Sequence, residues 1–262
     1  MATGTIQYKT EEEIDLMRAA ARLLAQAHGE VASLVREGAT TRQLDRRAEE
    51  FIRDHGASPS FKGYNNFPYS LCLSPNSVVV HGFASDEPLK SGDILSVDCG
   101  VLLNGYHADS AYTYAIGEVA PEVQRLLTET KAALYKGIEQ AVSGNRVGDI
   151  SYAIQNHVGP KGFGVVRELV GHGVGAKLHE KPEVPNYGKR GAGPKLQVGM
   201  TLAIEPMITL GKKDVVQEKD GWTIRTRDKK PAAHFEHTVV VRKDRAEILT
   251  SFEYIEKALS NK

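Results

Sequence analysis

Residues 94–116 read ILSVDCGVLLNGYHADSAYTYAI, in which two β-rich runs, Ile94 to Leu103 and Tyr106 to Ile116, meet at Asn104-Gly105. Asn-Gly between such runs is the strongest short-range hairpin signal, because a type I′ turn needs positive φ at both central residues. With these two residues as the turn, Leu103 pairs with Tyr106 and Gly100 lies opposite Asp109. Asp98 then falls two residues further along the same face. Diagonal neighbours of this kind lie about 7–8 Å apart at the backbone, within reach of two aspartates converging on one centre. Like charges sharing a face repel unless a positive charge stands between them. No Lys or Arg occurs between Ile94 and Ile116, so a metal cation is the favoured compensator.

Upstream of the hairpin, Ile14, Met17, Ala21, Leu24 and Ala25 recur at helical spacing between Thr10 and Val35, and Thr10 with Glu13 forms a capping-box pattern. A second helix opens after Thr40, with Gln43 in the capping position, carries Leu44, Ala48, Phe51 and Ile52, and closes at Gly56. Residues 57–92 are rich in Pro, Ser, Asn and aromatics, with one short β-like run from Ser77 to Val80. Downstream the pattern repeats. Helices are predicted from Pro121 to Val142 and near Asp149 to Val158, and a β segment from Val165 to Leu169. Strands follow around Thr201 to Leu210, Trp222 to Arg227 and His234 to Arg242, with Glu180 to Leu196 as a Pro/Gly loop. The expectation is one α/β (α+β) domain, residues 1–262, made of two similar halves at about 10–117 and 118–250. Val80-His81-Gly82 is echoed by Gly171-His172-Gly173, and Gly92 to Asp98 by Gly199 to Glu205. Chance similarity of short apolar strands is the competing explanation.

The chain has 262 residues, 41% hydrophobic and 25% charged, which excludes disordered and fibrous classes. Lys plus Arg (33) balances Asp plus Glu (33), so no global field draws the protein to nucleic acid or an anionic membrane. No run approaches the roughly 18–20 apolar residues of a membrane span. Met1 to Ala20 lacks the apolar core of a secretory signal and carries Glu11-Glu12-Glu13, so a cytoplasmic protein is expected. The two cysteines, Cys72 and Cys99, form no CxxC pair, which leaves His and carboxylates to bind any metal.

Glu205 follows the apolar run Thr201 to Ile204, and Glu236 precedes Thr238 to Val241. Buried carboxylates must be paired or metal-bound. Each acid alone reads as a solvated or salt-bridged residue. Four acids on four predicted strands, with His172 between two glycines, make an oxygen-dominated set suited to a pair of divalent cations. His172-Gly173-Val174-Gly175 also hints at a phosphate loop, but it follows no clear strand-to-helix junction. The chain carries no GxxxxGK(S/T), HExxH or GxSxG motif, so a hydrolase here would use activated water.

Eight segments then stand out in order: Cys72-Leu73-Ser74-Pro75-Asn76, Val79-Val80-His81-Gly82, Val97-Asp98, Gly105 to Asp109, Gly171 to Gly175, His179-Glu180, Ala203 to Met207 and Phe235-Glu236-His237-Thr238. Together they resemble the type I methionine aminopeptidases over nearly the whole chain. The resemblance implies the pita-bread fold, two αβ halves related by a pseudo-twofold axis with helices outside a curved central antiparallel sheet. It implies Asp98, Asp109, His172, Glu205 and Glu236 as ligands of two divalent cations (Co, Mn, Fe, Ni or Zn), Asp109 and Glu236 bridging them. A water or hydroxide held by the ions would attack the first peptide bond. Glu205 would be the general base, His179 would stabilise the oxyanion, and His81 would contact substrate near the scissile amide. Tyr64, Phe67, Cys72 and Trp222, with Phe61 nearby, would form an apolar cup for the methionine side chain. Phe61 and Leu178 stand where the family has a smaller residue and an aromatic.

The implied substrates are N-termini of nascent polypeptides with a small second residue, handled by a monomer without DNA or membrane. Lys212 to Lys230 is a candidate for transient ribosome contact, with a solvated hairpin as the alternative. His107 and His234 share strand parity with Asp109 and Glu236, whereas His28, His55 and His157 read as ordinary helix residues. Prolidase and aminopeptidase P carry an extra N-terminal domain, and only about 80 residues precede His81 here. Type II enzymes carry a late helical insertion, and only 33 positions separate His172 from Glu205. No zinc-binding or Pro-rich extension precedes the first helix, as in the short bacterial form. A non-enzymatic relative on the same scaffold is the rival from another class, and such proteins lack one or more of the ligands.

Overall fold

Asn104 and Gly105 turn at φ 52° and 81° in the computed structural model, which describes residues 4–260. The strands they join, Ile94–Leu103 and Tyr106–Ala115, pair along their full length with Leu103 opposite Tyr106 and Gly100 opposite Asp109. Ile94–Leu103 is the centre of its sheet. Its other edge takes Leu71–Pro75 and the two residues Ser58–Pro59. A second antiparallel sheet runs, in spatial order, Glu247–Ile248, His237–Val240, Thr201–Ile204, Val170–Gly173 and Glu180–Pro185. Two three-stranded sheets complete the set: Ala232–His234, Met207–Thr209 and Gly164–Val165, and then Val215–Gln217, Ile224–Thr226 and Val78–Val80.

Among the described residues five α-helices cover these sheets: α1 (Glu11–Leu34), α2 (Thr41–Asp54), α3 (Pro121–Ile138), α4 (Val147–Val158) and α5 (Glu253–Ser260). Both expected capping boxes form, Thr10 with Glu13 and Thr40 with Gln43. The apolar stripe of α1, with Ile14, Met17, Leu24 and Val31, is buried against the hairpin, α2 and α5. Asp45 ties α2 to the first sheet, its Oδ1 accepting the N–H groups of Ser70 and Leu71 at 2.8 and 2.9 Å. Among the described residues no helix is long and apolar enough to cross a membrane.

Several elements differ from the sequence reading. The strand expected over 201–210 breaks at Glu205-Pro206, since proline has no N–H to continue a ladder. The one expected over 234–242 breaks at Phe235-Glu236. Glu205 and Glu236 therefore sit at strand interruptions and not within strands. The expected loop 180–196 begins as the strand Glu180–Pro185, which tolerates Pro182 and Pro185 because it lies at a sheet edge. Leu71–Pro75 is a strand inside the segment read as irregular, and the β segment placed at 165–169 is divided between Gly164–Val165 and Val170–Gly173. The strand expected over 222–227 shortens to Ile224–Thr226, and α5 has no counterpart in the sequence reading.

His28 on α1 is 1% exposed, its Nε2 bonding the Ser110 carbonyl at 3.0 Å while Nδ1 is buried without a partner among the described residues. The ring is thus neutral, and burial pulls its pKa from 6.5 to about 4, against the pull of the Ser110 bond. Its contribution to stability is complete above pH 6.5 and is lost as pH falls toward 4, because the unfolded chain then takes up a proton that the folded chain refuses. At pH 4.5 the loss amounts to about 2–3 kcal/mol. Urea unfolding at pH 7.5 and 4.5 should show a smaller pH-dependent fall for His28→Gln than for the wild type; equal falls would assign the acid sensitivity elsewhere.

Candidate metal centre

The Tyr106–Ala115 strand is stitched to residues 234–238 through side chains and backbone. The Asp109 N–H donates to Thr238 Oγ1 (3.1 Å), and the Thr238 hydroxyl donates to the Asp109 carbonyl (2.8 Å). The Glu236 N–H donates to the Ala111 carbonyl (2.9 Å), and Thr113 exchanges two hydrogen bonds with the His234 backbone. In the second sheet His172 pairs with Ala203, and Ile204 with His237, so His172, Glu205 and Glu236 are delivered to the same end.

The result is a cluster of acids and imidazoles. His172 Nε2 lies 3.5 Å from Glu205 Oε1 and 4.0 Å from Asp109 Oδ2. Ligand atoms of Asp109, His172 and Glu236 all fall within 4.8 Å of one another, as do those of Glu205, His234 and Glu236. Asp98 joins them beside Asp109, whose charge adds to burial in raising its pKa. Asp98 Oδ1, Asp109 Oδ1, Glu236 Oε1 and His234 Nε2 are buried with no hydrogen-bond partner among the described residues.

Burial pushes the Asp98, Glu205 and Glu236 carboxyls well above their ordinary range, with the charge of Asp109 adding to each. Asp109 itself is pushed up by burial to about 7. His172 and His234 are driven by burial down to about 4 and about 3. His172 Nδ1 bonds the Gly173 carbonyl at 2.9 Å and so carries the ring proton, which leaves the Nε2 lone pair facing the carboxylate oxygens. Orphaned oxygens and an unprotonated nitrogen converging at one place are the donor set of a cation site. The residues present fit divalent metals.

His179 stands beside this cluster, its ring centroid 4.3 Å from that of His172 and its Nδ1 2.8 Å from the Tyr64 hydroxyl. Burial, with the neighbouring imidazoles His172 and His81, lowers its pKa to about 3. The bend that carries it is braced from behind. Glu180 accepts from Lys9 Nζ at 2.6 Å, both side chains more than nine-tenths buried, and from the Lys177 N–H at 3.0 Å. Gly175 is required at this bend, since a Cβ there would lie 2.7 Å from Lys9 Nζ. His81 adopts φ 58° and meets Trp222 edge-on at 5.9 Å.

Trp222 arrives on the hairpin of Val215–Gln217 and Ile224–Thr226, which pairs with Val78–Val80. Within this charged hairpin Arg225 pairs with Glu218 and Lys213 with Asp214. Phe61, Phe67, Cys72 and Leu178 form one buried apolar cluster, against which Trp222, Tyr69 and Phe83 pack. Phe61 packs over Gly100, the residue opposite Asp109, where a Cβ would lie 2.8 Å from its ring.

All the residues proposed from sequence line one cavity of about 940 Å³: Asp98, Asp109, His172, Glu205 and Glu236, with His81, His179, Tyr64, Phe67, Cys72, Trp222, Phe61 and Leu178. His107 also lines it, its Nδ1 2.9 Å from Ser60 Oγ. His234, flagged in the sequence only by strand parity, belongs to the acid cluster itself. Tyr69 and Phe83 were missed because nothing marks them apart from other loop aromatics. His55 and His157 lie outside, bonded to the Phe51 carbonyl and Glu129.

Residues 15–243 match the model of metallopeptidase family M24. The methionine aminopeptidase of Clostridium perfringens is 52% identical over 242 residues, covering 92% of this chain and 97% of that protein. Methionine aminopeptidase 1 of Bacillus subtilis is 48% identical over 92% of this chain and 98% of its own. The crystal structure of methionine aminopeptidase from Rickettsia prowazekii superimposes with TM-score 0.93 at 42% identity, covering 94% of this chain and all of that one. Prolidase from Pyrococcus furiosus shares the fold at TM-score 0.77 and 24% identity, with 66% of its length covered. The antiparallel sheets and covering helices are thus the pita-bread fold, and the chain belongs to metallopeptidase family M24 and, within it, to the methionine aminopeptidases.

Proposed function

We propose that this protein removes the N-terminal methionine from nascent proteins and peptides, preferring a small second residue, with two divalent cations held by Asp98, Asp109, His172, Glu205 and Glu236. The observation that carries the proposal is one cavity in which a buried carboxylate–imidazole cluster meets an aromatic and thiol-lined cup. Bound cations would lower the pKa of a water and polarise the scissile carbonyl, and a mixed site of this kind accepts Co, Mn, Fe, Ni or Zn according to availability.

The chain's own residues supply the rest. Phe67, Trp222 and Cys72 receive the flexible thioether, for which sulfur–aromatic contacts contribute about 0.3–1.5 kcal/mol. Glu205 takes the proton of the attacking water. With the Tyr64 hydroxyl donating to Nδ1, His179 keeps its proton on Nε2 and gives a hydrogen bond to the carbonyl oxygen as charge develops. His81, at the cup's edge beside Trp222, contacts the amide of the second residue. We place this activity in the cytoplasm, where chains begin with methionine, and assign it to a monomer. Transient contact of the 212–230 hairpin with the ribosome belongs to the same proposal.

Hydrolysis of Met-Ala-Ser, Leu-Ala-Ser and Ala-Pro, with and without divalent metal, tests it. Release of methionine alone, and only with metal, is expected. Cleavage of Ala-Pro would move the protein to the prolidase side, and no cleavage with any metal would favour a binding protein.

A further inference from the structure

A second cavity, of about 800 Å³, lies between the N-terminal segment around Ile6 and Tyr8, the first turn of α4 and the strand Glu180–Pro185. Glu183, Pro185 and Tyr187 line both this cavity and that of the metal centre, so the two lie side by side with that strand between them. Resting on the function proposed above, we propose that this groove receives the substrate polypeptide several residues downstream of the cleaved bond.

The strand between the cavities is the last of its sheet, and in this proposal an extended chain leaving the metal centre passes along its free edge. Pro182 and Pro185 remove two N–H donors from this strand, which blunts it as a template for a continuous ladder. The grip therefore falls to side chains. Ile6, Tyr8, Val147 and Tyr187 supply apolar surface, and Tyr187 is stacked under the Arg167 guanidinium at 4.9 Å. The floor is already built: at Gly148 a Cβ would lie 2.3 Å from the Lys189 carbonyl, so α4 and the 188–192 loop are in direct backbone contact. Lys181, Glu183 and Lys189 place both charge signs on the lining, so that no strong field of one sign restricts the sequence of the chain it takes. Such a groove prefers apolar segments without reading an order of residues, as an enzyme acting on many proteins requires.

The test compares Met-Ala-Ser with two nine-residue peptides that begin Met-Ala-Ser, one with Leu and Val at positions six to eight and one with Asp and Gly there. The apolar peptide should exceed the tripeptide in kcat/KM by about tenfold, through KM, the gain expected from burying one or two side chains. Ile6→Asp and Tyr8→Asp should each reduce that advantage and leave tripeptide hydrolysis unchanged. A benzoylphenylalanine placed at position six should label residues 4–8 or 147–151 in metal-loaded and metal-free protein alike. Equal rates for all three peptides, an advantage that survives both variants, or a label mapping elsewhere would overturn the groove. Release of no methionine from any peptide, with the label still in the groove, would instead overturn the function and leave a polypeptide site.

Discussion

Glu205→Ala should lower kcat/KM for Met-Ala-Ser by about four orders of magnitude while leaving the metal-free fold at least as stable as the wild type. A positioned general base contributes about 10²–10⁴ in rate, and the substitution also removes a carboxylate lying 3.5 Å from both His172 and His234. The stability half of the expectation follows from the same crowding. Asp98, Glu205 and Glu236 crowd around Asp109, whose charge adds to burial in raising the pKa of each, so without cations the cluster carries an electrostatic cost that removal of Glu205 relieves. In chelator the unfolding midpoint of Glu205→Ala should equal or exceed that of the wild type. With excess divalent metal the order should reverse, since a cation at a thousand times its Kd adds about 4 kcal/mol to a protein that binds it only when folded. Retention of more than a few per cent of activity would remove Glu205 from the chemistry.

Lys9→Met should destabilise the protein by about 3–5 kcal/mol, far more than a surface substitution, because it strands the buried Glu180 carboxylate. The double variant Lys9→Met/Glu180→Gln should recover most of that loss, the remaining amide still able to accept the Lys177 N–H. Urea unfolding of the four proteins in this cycle measures the coupling, and a value under about 1 kcal/mol would mean that solvent reaches the pair after all. Since Glu180 follows His179 in the chain, Lys9→Met should also lower kcat more than it raises KM.

These two sites show what a sequence yields and where it stops. The hairpin and its aspartates are legible because their determinants are local: Asn104-Gly105 sets the turn, and period-two geometry then places Gly100 opposite Asp109. The capping boxes are legible for the same reason. Pro206 interrupts a strand that hydrophobicity alone reads as continuous, and Pro182 and Pro185 disguise an edge strand as a loop, since proline's effect depends on which side of a strand needs a donor. The short α5, with Ile255 as its one buried residue, draws its order from α1, against which Tyr254 packs so closely that a Cβ at Gly29 would lie 2.8 Å from it. Within the site, convergence of Asp98 and Asp109 follows from geometry, whereas His179, His81 and the cup came only through resemblance. The Lys9–Glu180 pair joins positions 171 residues apart and has no sequence signal at all.

The stitching of 109–113 to 234–238 also orders events in time. The aspartate strand leaves the ribosome long before its partners Glu236 and Thr238 exist, so a growing chain holds half a donor set whose closing bonds span 121 to 129 residues. Contacts of such separation form late and slowly. The centre is therefore a property of the nearly finished chain, closed only once residues 234–238 can pair with 109–113.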